Sequence, residues 1–472
     1  MRILALEAST TSAKAMLYDS ETDKFESVAR EYSDDYSTVE DINQAEAVYQ
    51  QMIAVGREVL NWRSVDVIAL SGTWHSVFLC DRTMRPTTPV YLWNYTGAKD
   101  ICKRYRQDDA YVRDFYQRTG CMVNAIYPVF KLDLLRETGR DVDNSYIMSQ
   151  GAYLTYRMTG GRVSTRCLSS GTGLMNIHSR EYDPQILAEH RIQEWQLSRL
   201  VDDDASFPLT QEAANLLGVR SGIPVIPTNS DGGLNQVGVG AIRKGVATFS
   251  VGTSGAIRLS SDTPVIPDRP STWCYLSPKA YLSGAATNGC CNCTDWVKQR
   301  FFPSGTSYEE IESGVTEEAD APVFLPFLFG ERCPGWNDER RGGFLNVEAS
   351  HTANDLYRAA QEGVLFNLYQ CYKVLAEANG VPTEVMLSGG ILKSSAWTQM
   401  AADIFGVPMS VNDVEQGSLL GAIILGMEQQ GLIDDVRDYK PTVVRTIDPD
   451  PSRRDFYEEK FARYLECYEN NC

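Results

Sequence analysis

The sequence predicts an α/β protein made of two duplicated domains that face one another. Three observations lead there. Short apolar runs bounded by turns alternate with stretches of helical apolar spacing, the pattern of strands and helices sharing a sheet. A strand, a hydroxyl-rich turn and a second strand occur early, around Thr10-Thr11-Ser12-Ala13, and again around Gly252-Thr253-Ser254-Gly255. Setting Thr11-Ser12 on Thr253-Ser254 gives an offset of 242, about half of the 472 residues. Finally, 43% hydrophobic and 22% charged residues over that length suffice for two or three domains with large cores.

Taken in order, residues 3–6, 13–18 and 25–29 are apolar runs separated by turns and read as a β-meander. Within 44–62, Ala47, Tyr49, Ile53, Val55, Val59 and Leu60 recur at roughly helical spacing, and 65–70 is a continuous apolar run ending at Ser71-Gly72. That is a helix followed by a buried strand with a polar loop at its C-terminal end. Ligands gather at such strand ends, which makes Thr73, Trp74 and His75 candidate binding residues. The second cycle begins with a strand at 246–251 and continues past the turn at 256–259. Residues 353–380 form a long amphipathic helical region stopped by Gly380 and Pro382. A buried strand at 385–387 precedes Ser388-Gly389-Gly390, and 395–405 is a further helix. The expected division is an N-terminal domain over 1–242, a C-terminal domain over 243–434 and a charged, peripheral tail over 435–472.

Sixty-two acidic against 44 basic side chains leave a formal charge of −18, which argues against a nucleic-acid partner because polyphosphate needs a dense basic surface. A small anionic ligand at a local site stays compatible with it. No stretch approaches the ~18 apolar residues of a membrane span, and the apolar start at 3–6 is too short for a signal peptide, so a cytoplasmic protein without a membrane partner is expected. Twelve cysteines without regular spacing fit free thiols. Cys290-Cys291-Asn292-Cys293 lacks the second pair of ligands that zinc knuckles carry, and reads as small side chains packed near a ligand.

Hydroxyl-rich turns between strands present backbone N–H groups and hydroxyls in a concave array, and two of them facing each other could hold a triphosphate. Neither G-x-x-x-x-G-K-[ST] nor a strand-bound G-x-G-x-x-G occurs, so a P-loop ATPase and a Rossmann dehydrogenase are unsupported. Asn229-Ser230-Asp231-Gly232-Gly233 follows an apolar run and is expected as a loop. Its small neighbours would let a substrate hydroxyl approach Asp231 as a general base, although Asp-Gly is also an ordinary turn signal.

The chain resembles the FGGY-family carbohydrate kinases, and within them the gluconate kinases most. The resemblance is carried by 6–14 (Leu-Glu-Ala-Ser-Thr-Thr-Ser-Ala-Lys), by Ser230-Asp231-Gly232 with Gly238-Val239-Gly240-Ala241, and by 251–258 (Val-Gly-Thr-Ser-Gly-Ala-Ile-Arg). Residues 328–336 (Leu-Phe-Gly-Glu-Arg-Cys-Pro-Gly-Trp) are similar to the family's G-E-R-x-P-x-W segment. Ser388-Gly389-Gly390 with Ser394, Trp397, Gln399 and Ala402-Asp403-Ile404 resembles its adenosine motif.

This resemblance implies two ribonuclease H-like (actin-like ATPase) domains with an active-site cleft between them. It implies ATP and Mg²⁺ as cofactors, a small sugar, polyol or sugar acid as acceptor, and Asp231 as the base that takes the hydroxyl proton. Thr10, Thr11, Ser12 and Lys14 would hold the β/γ-phosphates, Gly252, Thr253 and Ser254 the other side, and Gly389, Gly390, Lys393 and Ser394 the nucleoside. Glu7 and Asp231 would face the metal. Thr73, Trp74, His75, Trp93, Asn94, Tyr95, Asp231 and Gly232 would line the acceptor site. The family allows a homodimer, for which the sequence marks no interface. This chain departs from the family where Glu7 and Ser9 replace Asp and Gly, and where Trp93-Asn94-Tyr95-Thr96-Gly97 replaces an Asp that grips sugar hydroxyls and an Arg beyond it. Those departures motivate an alternative, a catalytically weak nucleotide-binding sensor or scaffold on the same fold. They also predict a pocket with its own hydroxyl preference.

Overall fold

The computed structural model describes residues 1–32, 41–315 and 320–470. Two mixed sheets organise the chain. The first runs in the order Lys24–Glu31, Ser12–Asp19, Arg2–Ala8, Val67–Gly72, Pro224–Ser230 and Phe207–Pro208. The second runs Trp273–Ser277, Ala280–Thr287, Gly255–Ser261, Val246–Val251, Glu384–Ser388, Met409–Asn412 and Val443–Ile447. In each, an antiparallel meander leads into parallel central strands, so the duplication inferred from two turns extends through both sheets. Ala8 pairs with Ala13 whereas Val251 pairs with Gly255, which makes the second turn one residue shorter than the first.

Helices cover both faces, as buried parallel strands require. Gln44–Leu60 buries Val48, Tyr49, Met52 and Val59 against Leu4, Leu6 and Leu70 of the first sheet. Ala353–Asn379 starts at a Thr352–Asp355 capping box and buries one long stripe against the second sheet. Across the middle, two helices change sides. Gly417–Gln429, late in the chain, packs Leu419, Ile423 and Met427 on Ile3, Ala5 and Val67 of the first sheet. Asp231–Gly238, from the first half, reaches the second sheet through Gln236, which accepts from Thr248 Oγ1 at 2.6 Å and donates to Ser260 Oγ at 3.4 Å. A chain cut at 242 therefore separates sequence, not packing.

The tail is not peripheral. Val443–Ile447 pairs antiparallel with Met409–Asn412 and extends the second sheet. The helix Arg454–Asn470 buries Tyr457, Lys460, Phe461 and Tyr464, and Lys460 Nζ meets both oxygens of the buried Glu362 at 2.9 and 3.0 Å. Its exposed residues supplied the charge that made the segment read as surface. Among the described residues, no helix is long and apolar enough to cross a membrane, and eleven cysteines are free.

Candidate active site

Asp231 stands where Pro224–Ser230 ends. It is not in a loop, as expected from Asp-Gly-Gly, but opens the helix Asp231–Gly238, whose N-cap Ser230 accepts from Gly233 N at 3.0 Å. Capping and packing override the low helix propensity of two glycines. Gly232 N donates to Asp231 Oδ1 at 2.7 Å. Burial, then the charge of Glu7, pushes the Asp231 carboxyl up to about 6. A carboxylate titrating there is well placed to take a proton near neutral pH.

Glu7, 1% exposed at the end of Arg2–Ala8, accepts from Lys14 Nζ at 2.8 Å and from Ser71 Oγ at 2.8 Å. Lys14 is thus drawn to Glu7, across the hairpin pair that sets the two residues opposite each other. In the first turn Ser9 Oγ donates to Ser12 O at 2.9 Å, closing the turn at the position where serine departs from the family pattern, and Thr10 Oγ1 accepts from Trp93 Nε1 at 2.9 Å. Thr11 is exposed and Ser12 buried. Glu7 and Asp231 lie within reach of one another's charge. Among the described residues no group of three or more His, Cys, Asp or Glu could hold a metal by itself. A divalent cation at this pair would take its remaining ligands from phosphate oxygens and water, the usual manner of Mg²⁺.

The second turn holds itself through Gly252 N donating to Ser254 O at 3.0 Å, with Thr253 and Ser254 exposed. Gly389, at φ 100°, lies against the Val251 backbone so closely that a Cβ would collide with it. A Cβ on Gly390 would stand 3.0 Å from Cys291 Sγ. The turn expected at the phosphates and the motif expected at the nucleoside are therefore adjacent. Cys290 is packed behind Gly255, Cys291 begins the helix Cys291–Phe301, and its N–H donates to Gly252 O at 2.8 Å. Lys393 is exposed beside this wall. Ser394 is spent on the fold, its hydroxyl capping Ser395–Phe405 at Trp397 N, 3.0 Å away.

On the acceptor side, Trp74 lies over Gly232, whose Cβ would sit 2.5 Å from Cζ3, and its Nε1 donates to Cys167 O at 2.9 Å. Thr73 is buried beside it. His75, at φ 65°, places Nδ1 2.5 Å from Gly171 O, so Nδ1 carries the proton and Nε2 keeps its lone pair. Burial pushes this imidazole down to about 3, leaving it neutral. Trp93 reaches the first hydroxyl-rich turn instead of Asp231, and Asn94 is exposed. Tyr95 packs on Tyr91, ring centroids 4.8 Å apart, with its hydroxyl folded over Gly97 of its own loop.

Sequence reasoning missed the far wall. Trp273 and Tyr275, stacked at 4.3 Å on the edge strand of the second sheet, meet Trp74 and His75 of the first domain, and Tyr127 and Tyr275 share a hydroxyl contact of 2.7 Å. Arg258 and Arg332 border the same rings. Both lie in segments that carried the family resemblance, but a charged residue within a strand or loop gave no sign of facing inward.

With this geometry in hand, residues 2–238 match the N-terminal domain and residues 247–429 the C-terminal domain of the FGGY family of carbohydrate kinases. A gluconokinase from Bacillus subtilis is 30% identical, covering 92% of this chain and 88% of its own. A xylulose kinase from Lactococcus lactis is 25% identical over 99% of this chain and 96% of its own. The crystal structure of a gluconate kinase from Lactobacillus acidophilus superposes with a TM-score of 0.93 at 26% identity, covering 99% of this chain and 98% of that one. Its relatives being kinases fits phosphoryl transfer and not the sensor reading. The chain belongs to the FGGY family of carbohydrate kinases, phosphotransferases with an alcohol group as acceptor.

Proposed function

We propose that the chain transfers the γ-phosphoryl group of ATP to a hydroxyl of a small sugar or sugar acid, with Asp231 as general base. The observation that carries this is Asp231 itself: a carboxylate shifted toward neutrality, within reach of the charges of Glu7, Lys14 and Arg258, with the Trp74 ring over the neighbouring Gly232. Residues 1–242 would contribute the acceptor side and the first phosphate turn, and 243–434 most of the nucleotide side. Thr10, Thr11, Ser12 and Lys14 would align the terminal phosphates opposite Gly252, Thr253 and Ser254. Little covalent help is needed in such a transfer, so alignment and charge neutralisation do most of it. Mg²⁺, when bound with ATP, would neutralise phosphate charge beside Glu7 and Asp231. His75 Nε2 is free to accept a hydroxyl from the acceptor and orient it. Closure of the two domains would exclude water.

ADP release measured with MgATP over a panel of aldonates, pentuloses and polyols tests the reading. We expect acceptor-dependent turnover that falls at least about 10³-fold in Asp231→Asn. Equal turnover in that variant would remove Asp231 from the chemistry.

A further inference from the structure

Two cations at the acceptor wall make no ion pair among the described residues. Arg258 lies within Gly255–Ser261, paired across to Thr248 and Gly284. It is half-buried, and its Nε is shut off from solvent without a hydrogen-bond partner. Arg332 is half-buried too and follows Glu331, which is fully buried and fixed by Gly335 N, Arg340 and Tyr468. Other inward-facing arginines are paired, Arg340 with Glu331 and Arg358 with Glu362. Among the described residues, Arg258 and Arg332 have neither an ion pair within 4.0 Å nor a side-chain hydrogen bond. Each feels the other's positive charge, and both act on Tyr275; Arg332 also reaches His75 and Tyr127, and Arg258 reaches Asp231. They therefore converge on the rings that border the base.

Holding two guanidinium groups together, partly out of water and without an anion in ion-pair contact, is costly. It is the more informative in a chain of charge −18, where carboxylates to pair them with are abundant. We propose that Arg258 and Arg332 form a carboxylate subsite, so that the acceptor is a sugar acid of the aldonate class rather than a neutral sugar. This rests on the kinase reading above. The planar fork of arginine matches a carboxylate. The terminal phosphates already have Lys14 and the two turns. A neutral acceptor would leave both cations without an ion-pair partner, which makes the subsite a device for rejection as well as binding.

The test compares ADP release with D-gluconate and with its neutral amide, D-gluconamide, in wild type, Arg258→Gln and Arg332→Gln. We expect wild type to favour the acid in kcat/KM. Each substitution should cut kcat/KM for the acid on the order of 10²-fold, far more than it cuts kcat/KM for the amide, and leave the KM for ATP unchanged. Melting temperatures confirm folding, and Arg258→Lys should recover part of the loss. Equal use of acid and amide by wild type overturns the subsite while leaving the kinase reading intact. So does loss of both acceptors together with a raised KM for ATP, which would place the arginines on phosphate. If wild type turns over neither compound, the kinase reading fails for this pair and calorimetry decides the subsite. Gluconate binding weakened at least tenfold in Arg258→Gln supports it, and absent or unaltered binding overturns it.

Discussion

Asp231 carries opposite consequences for activity and for stability. Its carboxyl, raised from 3.8 to about 6 by burial and by Glu7, is charged and competent as a base only above that pH, so kcat/KM should climb through a limb near pH 6. Because the shift is upward, the fold is favoured most while the group is protonated, and that advantage is lost as pH rises through about 6. Asp231→Asn should therefore raise the melting temperature at pH 7.5, with a smaller gain at pH 5, while abolishing turnover. Glu7→Gln removes the second cause of the shift and should move the acid limb to lower pH; an unmoved limb would mean that Glu7 does not act on Asp231. Lys131 is a further buried titratable group beside the site. Fully buried, with its ammonium pushed down to about 7 by burial, it donates to His75 O at 2.9 Å and Leu92 O at 2.6 Å, tying the turn that bears His75 to the loop that bears Trp93. Lys131→Met strands both carbonyls, which costs about 1 to 3 kcal/mol. We expect it to raise the acceptor KM roughly tenfold, of the same order as that loss, and to leave the KM for ATP alone. A change confined to the ATP term would contradict this positioning role.

The helices Asp231–Gly238 and Gly417–Gln429 touch through backbone. A Cβ on Gly238 would collide with Gly417 O, and one on Gly421 with Leu234 O. Glycine is needed there for closeness of approach, not for a left-handed φ. Gly421→Ala should push the helix that begins at Asp231 off its seat, cost about 1 to 3 kcal/mol and lower kcat, read as a lower melting temperature with reduced turnover. Elements with strong local periodicity were legible in the sequence: the meander, the helix Gln44–Leu60 and the helix Ser395–Phe405, which matches the expected 395–405. Elements whose state is set from afar were not. Ser230-Asp231-Gly232-Gly233 reads as a turn because its glycines favour one, and it is helical because Ser230 caps it and a helix nearly 200 residues later packs on it.

The same distinction operates across the whole molecule. Both hydroxyl-rich turns could be found because each is local, and the family motifs ordered them. The arginine pair and the aromatic wall could not, because Arg258 and Arg332 approach only when the second domain folds, and Trp74 and His75 meet Trp273 and Tyr275 only when the domains meet. That meeting is made by the edge strand Trp273–Ser277, where Cys274 N donates to Gly120 O at 2.9 Å and Leu276 N to Ser170 Oγ at 2.9 Å, so an edge that could invite aggregation is covered by the other domain. The tail completes the far side. Tyr468 OH donates to Glu331 Oε1 at 2.6 Å, and the Arg340 guanidinium lies 3.8 Å over the Tyr468 ring, so the last helix grips the residue next to Arg332. Deleting 454–470 would uncover Phe366 and take Lys460 from Glu362 as well as Tyr468 from Glu331. The milder Tyr468→Phe keeps the ring and removes one charge-assisted hydrogen bond. If the tail positions the acceptor site, Tyr468→Phe should raise the acceptor KM several-fold with a loss of about 1.5 to 3 kcal/mol in stability, while the deletion should abolish cooperative melting of the second domain. A deletion variant that melts and turns over like the full chain would return the tail to the periphery.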